Sequence, residues 1–186
     1  MCLLRSIKIL FNVKYSFLQL YRSDISRANE GEYTKKLLKF FRRCQTSNGL
    51  MLYYYRYRFK KLKEKHHIEI YGKCDIGPGL YIGHPYCITI NADAIIGKNC
   101  NIHKGVTIGQ ENRGIRKGSP IIGDSVWIGV NATIVGKIVI GDDVLIAPNS
   151  YVNCDVPSHS IVFGNPCIIK SREGATCGYV NNKCEL

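Results

Sequence analysis

His84 is the side chain in this sequence best placed to move a proton. It ends the run Gly79-Leu80-Tyr81-Ile82-Gly83-His84, and Ile76, Ile82 and Ile88 mark a six-residue step around it. That step then jumps by two, from Ile88 to Ile90, and a break in a strict pattern marks a functional site. Fifteen residues earlier, Glu69 lies between Ile68 and Ile70. A carboxylate beside the imidazole would fix its tautomer and raise its basicity, as a general base requires. The remaining candidates make no comparable set. His103 has no carboxylate at a matching spacing and His159 belongs to a closing turn, so both read as structural. Five scattered histidines supply no three-histidine zinc site, and no metal is expected. Nine cysteines contain no C-x-x-C pair. Their odd number predicts free thiols in a reducing cytoplasm rather than a disulfide framework.

The elements that must position His84 are legible in the same six-residue step. Ile122, Ile128, Ile134, Ile140, Ile146 and Val152 form an unbroken series, and Ile90, Ile96, Ile102 and Ile108 another. Neither a helical period near 3.6 nor a strand period of 2 gives a strict step of six. A solenoid of short flat strands does, with three repeats to a coil and each anchor pointing into a triangular bore. A Gly or Ala usually follows the anchor, as at Gly77, Gly97, Gly123, Gly141 and Ala147. We expect these to permit tight corners where a Cβ would be strained. Glu69, fifteen residues before His84, would then sit close to one coil behind it.

Charge divides the chain. Residues 1–66 hold sixteen Lys and Arg against four Asp and Glu, whereas residues 67–186 hold ten of each. The basic third reads as helical, with Tyr33–Arg43 and Met51–Lys65 separated by Thr46-Ser47-Asn48-Gly49. It suits an anionic partner, such as a phosphorylated cofactor or an anionic membrane surface, or else forms a solvated face. No nucleic-acid motif accompanies its interleaved Tyr and Arg, so nucleic acid is not expected. The apolar opening, residues 1–21, is interrupted by Arg5, Lys8 and Lys14 and has no A-x-A site. It predicts an amphipathic helix on a sister subunit or a membrane surface, not a signal peptide or a span. A solenoid over 67–172 follows, broken by a polar excursion, Gln110–Pro120, of the kind that serves binding or catalysis. Residues 173–186 read as a loose tail.

The stretches IEIYGKCDIGPGLYIGH, AIIGKNCNIHKGVTIG, PIIGDSVWIG and VPSHSIVFGNPCIIK resemble the hexapeptide-repeat acyltransferases, and most closely their serine acetyltransferase subgroup. The resemblance covers over half the chain. It implies a left-handed parallel β-helix with an N-terminal α-helical segment, acetyl-CoA as co-substrate, and a homotrimer with its sites between subunits. It implies that His84 takes the proton of an acceptor hydroxyl, with Glu69 in the place of the family's aspartate. Asp24 resembles an aspartate that contacts the acceptor amine; an N-cap role for Ser23 or Asp24 is the alternative. The family's pantetheine groove maps onto Gly109, Val130 and Pro148, and Lys170 and Arg172 are available for the phosphates.

Two departures bear on the acceptor. Gly83 stands where serine-specific members have an aspartate, and Gly118-Ser119 where they have an Arg-His pair. Arg113, Arg116 and Lys117 lie close by and could replace that cation. With its shortened helical segment, the chain looks more like acetyltransferases that decorate surface polysaccharides. A sugar hydroxyl is therefore the expected acceptor, with L-serine the alternative, in the cytoplasm or at the inner face of the membrane. A non-catalytic scaffolding solenoid that binds ligands with its basic arm is the alternative of another class.

Overall fold

A computed structural model describes residues 15–27 and 31–186. Among these residues three helices, α1 (Phe17–Arg27), α2 (Glu32–Thr46) and α3 (Gly49–Lys65), precede fifteen short strands. Residues 1–14, on which most of the expected amphipathic opening falls, lie outside the described residues.

The strands wind as a parallel solenoid with three faces. Sheet A joins β1 (Glu69–Ile70), β4 (Thr89–Ile90), β7 (Thr107–Gly109), β10 (Thr133–Val135) and β13 (Tyr151–Val152). Sheet B joins β2 (Asp75–Ile76), β5 (Ile95–Ile96), β8 (Ile121–Ile122) and β11 (Val139–Ile140). Sheet C joins β3 (Tyr81–Gly83), β6 (Asn101–His103), β9 (Trp127–Ile128), β12 (Val144–Ile146) and β14 (Ser160–Phe163), and β15 (Ile168–Ser171) closes it antiparallel.

The anchors stack in register as the six-residue step predicts. Ile70, Ile90, Ile108, Ile134 and Val152 form the column of sheet A, and Ile82, Ile102, Ile128, Ile146 and Val162 that of sheet C. All are buried. Burial of each such side chain is worth about 1.5–3 kcal/mol. The buried cysteines join this packing. Burial pushes the Cys100 thiol up to about 12 and the Cys44 thiol up to about 11, so both stay protonated and inert near neutrality.

The glycines after the anchors have a different role from the one expected. Gly77, Gly97, Gly123 and Gly141 are not among the residues with left-handed backbone. Instead, a Cβ on Gly97 would lie 2.6 Å from the carbonyl carbon of Gly123, and one on Gly123 2.8 Å from that of Gly141. They are glycines because successive coils touch there. The left-handed corner residues come two places later, at Asn99, Ser125 and Asp143, with His159 left-handed as well in the last coil. Asn and Asp tolerate that conformation better than most residues.

The helices plug the open end of the bore. Leu37, Leu38, Phe41 and Cys44 of α2 and Phe59 of α3 join one apolar cluster with Ile68, Ile70, Cys74 and Ile76. The tail is not loose. Asp143 accepts hydrogen bonds from the amides of Ala175 and Thr176 at 3.0 Å and from Thr176 Oγ1 at 2.6 Å. Tyr179 packs edge-on against Trp127 at 5.1 Å, and Cys184 N donates to Asn99 Oδ1 at 2.9 Å. The tail thus climbs the corner between sheets B and C, back toward the first coil.

Candidate active site

His84 lies at the corner where the chain passes from sheet C to sheet A, and it is exposed. Gly83 pairs with His103 in the ladder, Asn101 with Trp127, and Trp127 with Leu145. Continued one or two residues past the paired strands, this register stacks His84, Lys104, Val130 and Pro148 along a single edge. Two of the residues matched to the pantetheine groove, Val130 and Pro148, therefore line up with His84. Gly109 does not: it ends β7, at the edge where the chain leaves sheet A.

Glu69 is also exposed, but it pairs with Thr89 rather than lying beside His84. Among the described residues no hydrogen bond or ion pair joins the two side chains. The spacing explains this. The ladder from Ile128 to Ile146 advances eighteen residues in one coil, whereas that from Ile70 to Ile90 advances twenty. Fifteen residues falls short of either. The two extra residues make the loop His84–Cys87, in which His84 (φ 53°) and Cys87 (φ 52°) both have left-handed backbone.

The sequence departure at Gly83 has a visible cause in packing. A Cβ there would lie 2.5 Å from His103 Nδ1 and 3.2 Å from the Tyr81 ring. The His103 ring, 6.0 Å from Tyr81 and 4.8 Å from Trp127, fills the space a larger residue would need. Trp127 itself is covered by Tyr179 of the same chain.

The excursion loop leaves the far edge of sheet A. Glu111 and Gly118 pair across it, Ser119 Oγ donates to Asn91 Oδ1 at 3.0 Å, and Lys137 N donates to Arg116 O at 2.8 Å. Arg113, Arg116 and Lys117 are exposed on it and Ser119 is half-buried. The rung from Ile88 to Asn91 separates His84 from this loop, roughly 10–13 Å for three to four extended residues. Within one chain the imidazole and the loop face solvent at opposite edges. Lys170 and Arg172 are exposed on the closing hairpin of sheet C, with the Lys170 ammonium 5.6 Å from the Phe163 ring centre.

Asp24 is corrected by the structure, in both expected roles. It lies inside α1, fully buried, and not at its start. Its carboxylate accepts two hydrogen bonds from Arg42, Nε at 2.7 Å and Nη2 at 2.9 Å, and one from Leu80 N at 2.8 Å. Arg42 also donates to the carbonyls of Ile76 and Gly77 at 2.6 and 2.7 Å. With every oxygen engaged inside the protein, Asp24 locks the helices to the first coil and meets no acceptor. Ser23 Oγ likewise donates to Leu20 O and accepts from Gly79 N.

The residues missed by sequence reasoning are Tyr86, which sits in the His84 loop, and His66, whose ring packs on it at 4.5 Å. The two-residue jump in register was their only signal. A basic cleft also runs along α3, lined by Arg56, Lys60, Lys63, Tyr71 and Lys73, with a volume of about 260 Å³. Among the described residues no helix is long and apolar enough to cross a membrane.

Comparison with known proteins agrees with the fold. Residues 119–154 match the family model described as bacterial transferase hexapeptide (six repeats). The chain is 34% identical over 165 residues to serine acetyltransferase 2 of Arabidopsis thaliana, covering 89% of this chain and 45% of that protein. It is 39% identical over 111 residues to a Staphylococcus aureus serine acetyltransferase, covering 60% and 52%. The crystal structure of Neisseria gonorrhoeae serine acetyltransferase in complex with serine superposes with a TM-score of 0.64 at 25% identity, covering 82% of this chain and 68% of that one. The chain spans about half the length of the curated relatives it matches. These similarities overturn the expectation of a polysaccharide acceptor: they run to serine acetyltransferases, the alternative reading. The Gly83-His84 pair that suggested a glycan reflects instead the ring of His103 packed alongside. In its repeat, its three-faced solenoid and these similarities, the chain resembles the hexapeptide-repeat transferases.

Proposed function

We propose that this chain is an acetyl-CoA-dependent O-acetyltransferase whose acceptor is L-serine and whose general base is His84. The observation that carries the reading is the edge on which His84, Val130 and Pro148 stand in register. It offers one outward imidazole and a straight border along which a pantetheine arm can lie. His84 would take the proton of the serine hydroxyl as its oxygen attacks the thioester carbonyl, and the proton would then pass to the departing thiolate of CoA. Removing such a base costs about 10²–10⁴ in rate.

The opposite edge supplies the other half. Arg113, Arg116 and Ser119 are the side chains we assign to the acceptor carboxylate, in place of the absent Arg-His pair. Because loop and imidazole sit on opposite edges of sheet A, a second copy must bring its loop to the first copy's His84. This favours a closed assembly, and a trimer matches the three-faced prism. Lys170 and Arg172 would meet the phosphates of CoA. Glu69 reaches the imidazole only by swinging its exposed side chain toward the corner, so its contribution should be smaller than that of His84. The reading places the protein in the reducing cytoplasm, where buried protonated thiols persist.

His84→Ala should cut acetyl transfer to L-serine by about 10²–10⁴ while the assembly, measured by light scattering, stays intact. Wild-type turnover in that variant, or failure of the unaltered protein to acetylate serine, would end the proposal.

A further inference from the structure

The two ends of the bore are closed by different means. The helices plug one end. At the other the chain turns back beside its last coil: Tyr151 N donates to Gly164 O at 3.1 Å, and β15 folds antiparallel onto β14. Cys167 and Ile169 pack there against the apolar cluster. A terminal coil has a neighbour on one side only, so this end must hold itself together with local contacts.

Two thiols meet at this end. Cys154 and Cys167 lie thirteen positions apart, and their Sγ atoms are 3.6 Å from each other. Tyr151 and Gly164 have the same offset, so the two cysteines continue the register of adjacent runs of chain. Adjacent strands lie about 4.7–4.9 Å apart, inside the window of about 4.4–6.8 Å between the Cα atoms of a disulfide. Side-chain rotation can therefore bring the sulfurs to the bonding distance of about 2 Å. Both residues are half-buried, whereas Cys44, Cys74 and Cys100 are shut inside the protein. The Cys154 side of the pair is also tied to the coil beneath. Asp155 Oδ1 accepts from Val139 N at 2.8 Å, and Val156 N donates to Val139 O at 2.9 Å.

We propose that Cys154 and Cys167 form a redox-modification site, a dithiol that closes to a disulfide and clasps the last coil to the closing hairpin. The oxidant is a low-molecular-weight disulfide. One cysteine thiolate attacks a sulfur of that disulfide, forming a mixed disulfide and expelling one small thiolate, which takes up the proton the cysteine gave up. The second cysteine, deprotonated in turn, attacks the protein-bound sulfur and expels the other small thiol. The protein loses two electrons and two protons, and one small disulfide becomes two small thiols. Burial, with Cys167 alongside, holds the Cys154 thiol above its ordinary value. The reduced pair therefore persists near neutrality and exchanges faster as pH rises. Intracellular disulfides of this kind are transient and redox-sensing. The site is independent of the base assignment at His84.

The test uses the full chain, incubated with oxidised glutathione or with dithiothreitol, then alkylated and mapped by peptide mass. The dominant bridge in the oxidised sample should join Cys154 to Cys167, with the loss of two hydrogens. Closing a loop of this length restricts the unfolded chain, so oxidation should raise Tm by roughly 5–10 °C, and dithiothreitol should reverse the rise. Cys154→Ser and Cys167→Ser should each abolish the rise. If a serine variant is destabilised when reduced, Cys154→Ala should restore the reduced Tm and still show no rise. Mixed disulfides alone at these two positions, a dominant bridge between other cysteines, or a Cys154–Cys167 bridge with no rise in Tm would overturn the proposal.

Discussion

Two corners of the prism, built from the same repeat, have been put to opposite uses. At the corner between sheets B and C, both ends of the described chain are stapled down. Asp24 and Arg42 bind the first coil, Arg27 donates to the Gly79 carbonyl and to Asn101 Oδ1, and Asn99 and Asp143 hold the tail. At the corner between sheets C and A the tie to the helices is a backbone one, Cys87 N donating to the His66 carbonyl at 3.1 Å, and His84, Pro148 and Asn149 stand exposed. Buried polar groups demand partners, so the stapled corner is over-determined and intolerant. The bare corner has freedom to hold chemistry. Stability and activity should therefore respond to different edges of one solenoid.

The largest effect expected of this comparison is on the stapled side. Asp24→Ala leaves the Arg42 guanidinium buried and unpaired, which should destabilise the fold by about 3–5 kcal/mol in a urea titration. A loss below about 1 kcal/mol would mean that the two corners are not so different. Next, Gly123→Ala pushes a Cβ against the Gly141 backbone at 2.8 Å, and overpacking of this kind costs roughly 1–3 kcal/mol. Its Tm should fall although the residue is small and the site distant.

A smaller effect concerns pH. Burial pushes the Asp143 carboxyl up, but hydrogen bonds from Thr176, His159 and Ala175 more than offset this and hold it down to about 2. Its folded value lies below the unfolded one, so this carboxylate secures the tail above the ordinary value of 3.8 and releases it as pH falls toward about 2. The neighbouring His159 is raised, mainly by its bond to Asp143. Its share is present below pH 6.5 and fades as pH climbs through the raised value. Trp127 fluorescence, which reports contact with Tyr179, should change between about pH 4 and 2; a flat trace would place the tail's anchor elsewhere. The smallest effect belongs to the bare corner. His84→Ala should move stability by no more than about 0.5 kcal/mol, as for other exposed positions. A drop of several kcal/mol would make the imidazole a structural group.

The solenoid was legible because burial of one aliphatic residue per strand imposes its period on the chain, from Ile70 to Val162. His84 was legible because its loop breaks that period. Asp24 was misread because a buried salt bridge and an exposed binding carboxylate look alike in one dimension, and only the partner Arg42, eighteen residues on, tells them apart. The fifteen residues between Glu69 and His84 look like one coil in the sequence, but a coil measures eighteen or twenty. The tail reads as loose along the sequence because its contacts, with Asp143, Asn101 and Asn99, are all distant in sequence.

By itself, then, the sequence determined the strand period, the inward columns of isoleucine and the outward imidazole, because each follows from side chains repeating along a local path. Tertiary structure alone decided which corner is strapped and which left bare, that Gly97 and Gly123 serve contact between coils, and that Tyr33 and His66 reach the loop of the base. Those outcomes depend on groups far apart along the chain meeting at contact distance, and no local pattern records such meetings.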